Sequence, residues 1–359
     1  MRIRASTING ATEYMPPIPL NHESRVHRKT RRSPTLIAAA LLSALFCLSP
    51  RLSAEEAATP PATPPAAPAA EPEAKKPPPA PYSLPWGLRP AASPTVLRLD
   101  TAIDLYSNTT KKADGSSESK SGRSIPILLL GSYEFTPGLA ALARFGVVQS
   151  SPPAGEGATV TSNLLLGLVK ALKPHNDIRM AAFLGLVLPI GMGGGDKPDL
   201  PKKNAVSTGI LARSAMDNAM FAVNDMVFVP GLDVAYVAHK LTVQAEITFL
   251  QLLRARGERG QADGARTNFT TGLHVGYFII PQLSLGAEIR HQRWLTTPVA
   301  VSKDETLRDN TTFAVGPRAH FKLGKKTWAR PGVSFAMGLD DPMKLKEHKV
   351  IQVDIPVLF

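Results

Sequence analysis

The chain has 359 residues, 43% of them apolar, and a formal net charge of +12. Residues 1–54 hold eight Lys or Arg and two Glu, so 8 − 2 = +6 lies there and the other +6 is spread over the rest. A basic stripe with interleaved aromatics is missing, which excludes nucleic-acid binding. The single cysteine, Cys47, excludes a disulfide scaffold and a cysteine-type zinc site. We expect neither a metal nor a cofactor.

The N-terminal region has the composition of a targeting segment. A basic stretch at 25–32 precedes an apolar run at 36–48, and the small residues Ser53 and Ala54 follow. The apolar run is too short for a membrane helix, which needs about 20 residues. The order of basic, apolar and small residues predicts that 1–54 comprise an N-terminal extension and a secretory signal peptide, with cleavage near Ala54.

Residues 55–94 form a second compositional zone. Between Thr59 and Pro94, 13 of 36 residues are proline and many others are alanine. Such a segment has few backbone donors and little apolar mass, which predicts a disordered, semi-rigid periplasmic linker. The sequence "YSLPWGLRP" interrupts it at Trp86. This motif either docks elsewhere or forms a short ordered lead into the following domain.

From residue 95 to the C-terminus the dominant period is two, which places alternate side chains on opposite faces of a strand. In "TFAVGPRAHFKLG", for example, Phe313, Val315 and Phe321 alternate with Gly316, Arg318 and other polar or small residues. Each such segment has about the length of a tilted transmembrane strand. The twelve predicted strands are 96–106, 123–135, 139–149, 160–172, 178–190, 225–239, 241–252, 267–280, 282–294, 310–323, 327–338 and 348–359.

The connections between these segments alternate between long and short. The long ones are 107–122, 150–159, 191–224, 253–266, 295–309 and 339–347, and two- to five-residue turns separate them. Outer-membrane barrels have an even number of strands, short periplasmic turns and long outer loops. The pattern therefore predicts an all-β, antiparallel, up-and-down transmembrane barrel over 95–359, with both chain ends in the periplasm.

Aromatic residues on the apolar parity form two groups. One group lies near the short turns or the chain end: Tyr133, Phe135, Tyr236, Tyr277, Phe321 and Phe359. The other lies near the long loops: Phe228, Phe249, Phe269, Phe313 and Phe335. Two aromatic girdles of this kind mark the two interfaces of a membrane barrel.

The C-terminal strand carries a recognisable pattern. Its alternating apolar residues end on an aromatic side chain, in the order Ile351, Val353, Ile355, Val357 and Phe359. This ending resembles the C-terminal assembly signal of bacterial outer-membrane β-barrel proteins. The resemblance implies a Gram-negative outer membrane, contact with its lipid, and recognition by the barrel-assembly machinery. The oligomeric state is left open.

The opposite parity assigns the interior. Its charged members, seven basic and seven acidic, are predicted to line the lumen: Arg98, Asp100, Asp104, Glu134, Arg144, Arg179, Asp233, Glu246, Glu288, Arg290, Arg318, Lys322, Arg330 and Asp354. Buried charges need partners or water. They either cross-link the wall as salt bridges or shape a polar pathway for small solutes. Many glycines share this parity, which leaves room or admits a bulky neighbour.

The longest connection, 191–224, is ambiguous. Ala212, Ala215, Met216 and Ala219 have helical spacing, so the loop could fold inward as a constriction. It could equally extend a hairpin outside the membrane, and hidden strands would raise the count to fourteen.

Catalytic chemistry is not indicated. No serine accompanies His291 on the apolar parity, and a cluster of Asp340, Asp341 and His348 lacks support as a catalytic group. The leading hypothesis is a non-enzymatic, porin-like channel for passive passage of small polar solutes. The alternative is a closed structural, adhesion or receptor barrel that acts through its loops. An outer-membrane hydrolase is third.

Overall fold

A computed structural model describes residues 81–111, 114–197, 199–257 and 263–359. The predicted signal peptide and the linker up to residue 80 lie outside the described residues. The described part contains fifteen strands: β1 Val96–Lys111, β2 Ser117–Thr136, β3 Leu139–Ser151, β4 Ala158–Thr161, β5 Leu164–Leu172, β6 Ile178–Leu188, β7 Asp225–Ala238, β8 Leu241–Arg254, β9 Ala265–Ile280, β10 Leu283–Trp294, β11 Asp309–Ala319, β12 Phe321–Lys322, β13 Trp328–Ala329, β14 Gly332–Gly338 and β15 Lys349–Leu358.

These strands form one closed antiparallel sheet. Each pairs with its chain neighbour, and β15 returns to pair with β1 through registers such as Asp100 opposite Asp354. The two short strands β4 and β5 both pair with β3, so they act as one strand of the wall. The two-residue strands β12 and β13 lie between β11 and β14 in the chain. They pair with each other, and β13 also pairs with β15. The prediction of a twelve-stranded up-and-down barrel is confirmed, and the described residues of 191–224, which are all but residue 198, contain no strand.

Two predicted boundaries differ from the structure. The connection predicted at 107–122 is mostly paired, because β1 and β2 continue as a hairpin as far as Lys111 opposite Ser117. Backbone pairing does not require apolar side chains, so the ladder outlasts the apolar alternation. The strand predicted at 160–172 is interrupted at Ser162 and Asn163. The Ser162 hydroxyl there accepts a hydrogen bond from the Gly146 amide at 2.9 Å, in place of a ladder carbonyl.

The outer wall is apolar. All six aromatic residues predicted near the short turns are exposed, and in the second group Phe228 and Phe335 are exposed as well. The strand residues between the two groups include Leu129, Ile289 and Val315, all exposed. Among the residues that the structure describes, no helix is both long and apolar enough to cross a membrane.

The interior has two unlike halves. On the side of β2–β8, apolar side chains form one buried cluster that includes Leu128, Val148 and Phe183. On the side of β9–β15 and β1, and at the short-turn ends of β7 and β8, the buried side chains are mainly charged, amide, hydroxyl or very small. Two internal segments fill these halves, namely the inward loop 189–224 and the lumen segment 81–94.

The inward loop contains two helices, α1 Leu200–Ala212 and α2 Asn218–Phe221. The helix α1 begins where the Asp199 carboxylate accepts a hydrogen bond from the Lys202 amide at 3.2 Å, with proline in its first turn. It ends before Ser214 and Ala215, whose positive φ angles of 57° and 55° break the helix. A further helix, α3, spans Val299–Lys303 in another long loop and precedes the short 3-10 turn η1, Glu305–Leu307.

Candidate functional site in the lumen

Residues 81–94 lie inside the barrel. They fall within the predicted linker 55–94, and of the two alternatives for "YSLPWGLRP", docking is the one that the structure has. Tyr82, Leu84, Trp86 and Leu88 are each at most 6% exposed. The segment starts level with the short turns, runs inward to Arg89 and comes back to β1. Burial of four large apolar side chains explains why this part of a proline-rich zone is ordered.

Charged wall residues hold the backbone of the lumen segment. The carboxylate of Glu288 accepts hydrogen bonds from the amides of Trp86 and Gly87, at 2.5 and 3.0 Å. On the neighbouring strand β11, Arg318 donates from Nε to the Leu84 carbonyl at 3.0 Å, and Arg98 on β1 donates to the Trp86 carbonyl at 2.5 Å. Backbone groups of an extended segment buried away from water need such partners.

The phenol of Tyr82 closes the lumen segment on itself. It accepts a hydrogen bond from the Ala91 amide at 2.9 Å and donates to the side-chain oxygen of Gln244. Burial raises the pKa of Tyr82 above its usual range, so the hydroxyl keeps its proton at any ordinary pH. The segment is therefore a compact inward loop that returns to its own starting level.

Glycines of the wall make room for the segment. A Cβ atom at Gly286 would lie 2.9 Å from the ring of Trp86, and one at Gly332 would lie 2.8 Å from its Nε1 atom. A Cβ atom at Gly272 would lie 2.5 Å from a methyl of Leu88. These three inner-parity glycines thus form a cradle that fits Trp86 and Leu88. Of the two roles predicted for such glycines, this is the admission of a bulky neighbour.

Gly286→Leu should displace the lumen segment, because the new side chain occupies the space of Trp86. We expect a cysteine placed at Ser83, in a chain whose own Cys47 is replaced by Ser, to react several-fold faster with a maleimide. The matched control is Gly131→Leu, since a Cβ at Gly131 meets nothing within 4 Å. Equal labelling rates for both variants would contradict the fit of Trp86 to the cradle.

The inward loop fills the other half of the lumen. Of the two alternatives for 191–224, the inward fold therefore holds, and not the hairpin outside the membrane. Buried Val206 and Phe221 belong to the apolar cluster of the β2–β8 wall. The predicted helical run at 212–219 is wrong, because the break at Ser214 and Ala215 falls within it. All four of its apolar residues are nevertheless buried.

An ion-pair network ties the inward loop to the wall. Asp217 binds Arg144 at 2.5 Å and Arg213 at 2.8 Å, and Arg213 also lies 3.6 Å from Asp100. Burial alone would raise the pKa of Asp217, but Arg144 and Arg213 outweigh burial and hold it below its usual range. The loop is therefore fixed by apolar packing on one side and by paired charges on the other.

The structure places twelve of the fourteen predicted lumen residues inside the barrel. Wall residues pair with each other, as Arg318 and Asp354 do at 2.9 Å and Arg290 and Glu288 at 2.6 Å. Two of the fourteen lie elsewhere. Glu134 is exposed at the short-turn rim, where it accepts from the Ser93 hydroxyl. Lys322 is exposed because β12 pairs only with β13 and leaves the wall.

Several residues that contact the lumen segment were not predicted from the sequence. Three of them are neutral inner residues of β8 that hydrogen-bond to the lumen segment, namely Gln244, Thr242 and Thr248. Their inner parity was visible, but only charged residues were counted as candidates. The segment's own Arg89 was not predicted either, and its ion-pair partners lie more than 140 residues away in the chain.

His291 and His348, the two histidines considered for catalysis, each contact other residues than those considered with them. His291 contacts the Thr311 hydroxyl at 3.0 Å on the outer face. His348 pairs with Asp104 at 2.8 Å and stacks on Tyr106, away from the two aspartates of its own loop. No group of three or more His, Cys, Asp or Glu side chains among the described residues has the arrangement to hold a metal ion.

The internal segments border two spaces in the described part of the lumen. A small cavity of ≈ 110 Å³ lies between the lumen segment and the inward loop and is lined by residues that include Arg89, Phe183 and Asp217. A vestibule of ≈ 720 Å³ opens on the long-loop side and is lined by residues that include Asp225 and Trp294. The 110 Å³ cavity is the space that the two internal segments leave between them.

No protein-family model matches the chain, and no curated protein matches it. Solved structures with a similar fold are outer-membrane barrels. The NanC porin is 9% identical, with a TM-score of 0.41 over 73% of this chain and 98% of that one. The KdgM porin is 10% identical, with a TM-score of 0.38 over 72% and 99%. The transport unit of the autotransporter AIDA-I from Escherichia coli is 9% identical, with a TM-score of 0.39 over 74% and 90%.

Proposed function

We propose that the chain is an outer-membrane channel for small polar solutes that its own lumen segment holds shut. The observation that carries this proposal is the polar half of the interior, which the lumen segment occupies. Its charged and amide side chains would be well solvated if water replaced the segment. A barrel that served only as a scaffold could fill the same space with apolar side chains at lower cost.

The contrast between the two internal segments identifies the lumen segment as the movable one. The inward loop packs against an apolar wall, so its removal would expose that wall to water. The wall residues that hold the lumen segment are chiefly hydrogen-bonding or charged, so water can replace those contacts on the wall when the segment leaves, although the segment then exposes Leu84, Trp86 and Leu88. A pathway opened in this way would run beside β9–β15, β1 and the short-turn ends of β7 and β8, between charges of both signs.

We place the barrel in the outer membrane because its closed ladder and apolar outer wall meet the two requirements of a bilayer. The short-turn end would face the periplasm, and with it the C-terminus and the residues before Pro81. The terminal pattern from Ile351 to Phe359 would serve the barrel-assembly machinery. Membrane lipid is then the partner of the outer wall.

Charge on the outer wall should be costly if lipid covers it. Val315 is 44% exposed in the middle of β11, and an arginine near the bilayer midplane costs about 2–4 kcal/mol. Thr311 is on the same face of the same strand, two residues from Asp309 at the polar rim, where the cost is about 0–1 kcal/mol. We expect Val315→Arg, and not Thr311→Arg, to make folding into liposomes less favourable. Similar values for the two variants would contradict a lipid-facing wall.

The occupied lumen also favours a second candidate, a closed barrel that acts through its outer loops. Single-channel recording of the purified chain in planar bilayers separates the two. A gated channel gives discrete ohmic steps that become frequent when the lumen segment is weakened. Silence from a folded barrel, with and without an intact lumen segment, would favour the closed barrel. Hydrolysis of lipid or peptide would instead indicate the third, enzymatic hypothesis.

A further inference from the structure

Two carboxylates face each other across neighbouring strands of the lumen wall. Asp233 on β7 lies directly opposite Glu246 on β8, and both side chains are buried. Like charges in this position repel one another. The structure places the guanidinium of Arg89 between them, with Nη2 3.3 Å from Glu246 and Nε 3.6 Å from Asp233.

The wall around this guanidinium is shaped for it. The Phe183 ring lies 4.7 Å from the guanidinium carbon, at a distance suited to a cation–π contact. The Thr248 hydroxyl accepts from Nη2 at 2.5 Å. A Cβ atom at Gly231 would lie 2.5 Å from the same nitrogen, so the glycine is needed for the guanidinium to fit.

The buried Asp233 carboxylate has unused hydrogen-bonding capacity. Within the described part of the chain neither of its oxygens accepts a hydrogen bond, although the side chain is 0% exposed. The ≈ 110 Å³ cavity borders this carboxylate and Arg89. When the lumen segment withdraws, the pair loses the cation that it shares and gains open space.

We propose that Asp233, Glu246, Phe183 and Thr248 form a cation site that Arg89 occupies in the closed state and that guanidinium- or ammonium-bearing solutes occupy in the open state. The inference rests on the proposed channel function and adds the class of solute. The carboxylates supply charge, the ring supplies a face for a flat or methylated cation, and the hydroxyl orients it. The same carboxylates then draw cationic solutes through the lumen in preference to anions.

The test is chemical rescue in the full-length chain. Arg89→Ala should empty the site and lower the thermal midpoint of the detergent-solubilised barrel. Millimolar guanidinium chloride should recover most of that loss by binding the folded form. Urea and sodium chloride at the same concentration should not, because one lacks the charge and the other the planar donors.

Two further variants make the rescue specific. Trp86→Ala loosens the same lumen segment while Arg89 still fills the site, so guanidinium should not restore it. Arg89→Ala combined with Asp233→Asn and Glu246→Gln should also be insensitive. Rescue of either control, or no rescue of Arg89→Ala, would overturn the site. This stability measurement needs no current, so it tests the cation site separately from the channel. The channel proposal fails instead if every variant with a weakened lumen segment is electrically silent.

The solute class has its own readout. A chain in which Gly and Ser replace residues 83–91 should pass current that guanidinium reduces in a concentration-dependent manner. Asp233→Asn with Glu246→Gln in that background should abolish the reduction. Current that guanidinium leaves unchanged in both chains would overturn the cation preference.

Discussion

Replacing residues 83–91 by a Gly and Ser sequence of the same length should convert a mostly closed barrel into a sustained conductor. The replaced segment includes Leu84, Trp86 and Leu88, each buried against the wall. Loss of a buried tryptophan alone costs about 3–5 kcal/mol, and each 1.4 kcal/mol is tenfold in an equilibrium constant. The ratio of closed to open barrels should therefore fall by at least about a hundredfold, as measured by open probability in planar bilayers.

A matched replacement isolates the effect of the lumen segment. The exposed outer loop 153–157 can be exchanged for Gly and Ser in the same way, and open probability should not change. The thermal midpoint of both chains shows whether the barrel remains folded. An unchanged open probability in a folded 83–91 variant would mean that the lumen segment does not control passage.

Removal of the inward loop should have a different result, a loss of stability. Deleting 196–222 with a short Gly and Ser bridge would take away Val206, Met220 and Phe221, which are buried in the apolar cluster. Each large apolar side chain that loses its cover costs about 1.5–3 kcal/mol. We expect a clear fall in the urea midpoint of unfolding and in refolding yield.

The same 153–157 replacement serves as the control for this deletion. It shortens nothing in the interior, so its urea midpoint should match that of the parent chain. An inward-loop deletion that folds normally and conducts would show that the loop is the gate, and that the apolar half of the lumen tolerates water.

The wall of this barrel was predictable because a single constraint acts on every strand. Lipid outside and polar groups inside impose a period of two, and parity then assigns residues such as Val315 and Arg318 to opposite faces. Short turns and long loops follow from chain connectivity. These local patterns need no knowledge of which distant residues meet.

The contents of the lumen were not predictable in the same way. "YSLPWGLRP" has apolar residues at a period of two, from Tyr82 to Leu88, but it is short and contains proline, and its partners, such as Glu288, lie about two hundred residues away. Its proline-rich surroundings indicated disorder. The informative signal was in the wall, where Gly272, Gly286 and Gly332 share the inner parity and mark a place that something bulky approaches. Which segment approaches could be read only from the three-dimensional structure.

The closed lumen segment can be tested most directly by locking it in place. The hydroxyls of Ser83 and Ser284 lie 3.4 Å apart, so Ser83→Cys with Ser284→Cys, in a chain whose Cys47 is replaced by Ser, should form a disulfide between segment and wall. Adding Trp86→Ala loosens the segment, and single-channel current is then recorded before and after reduction. We predict silence in the oxidised barrel and ohmic steps after reduction. Equal currents in both states would contradict a lumen segment that holds the channel shut.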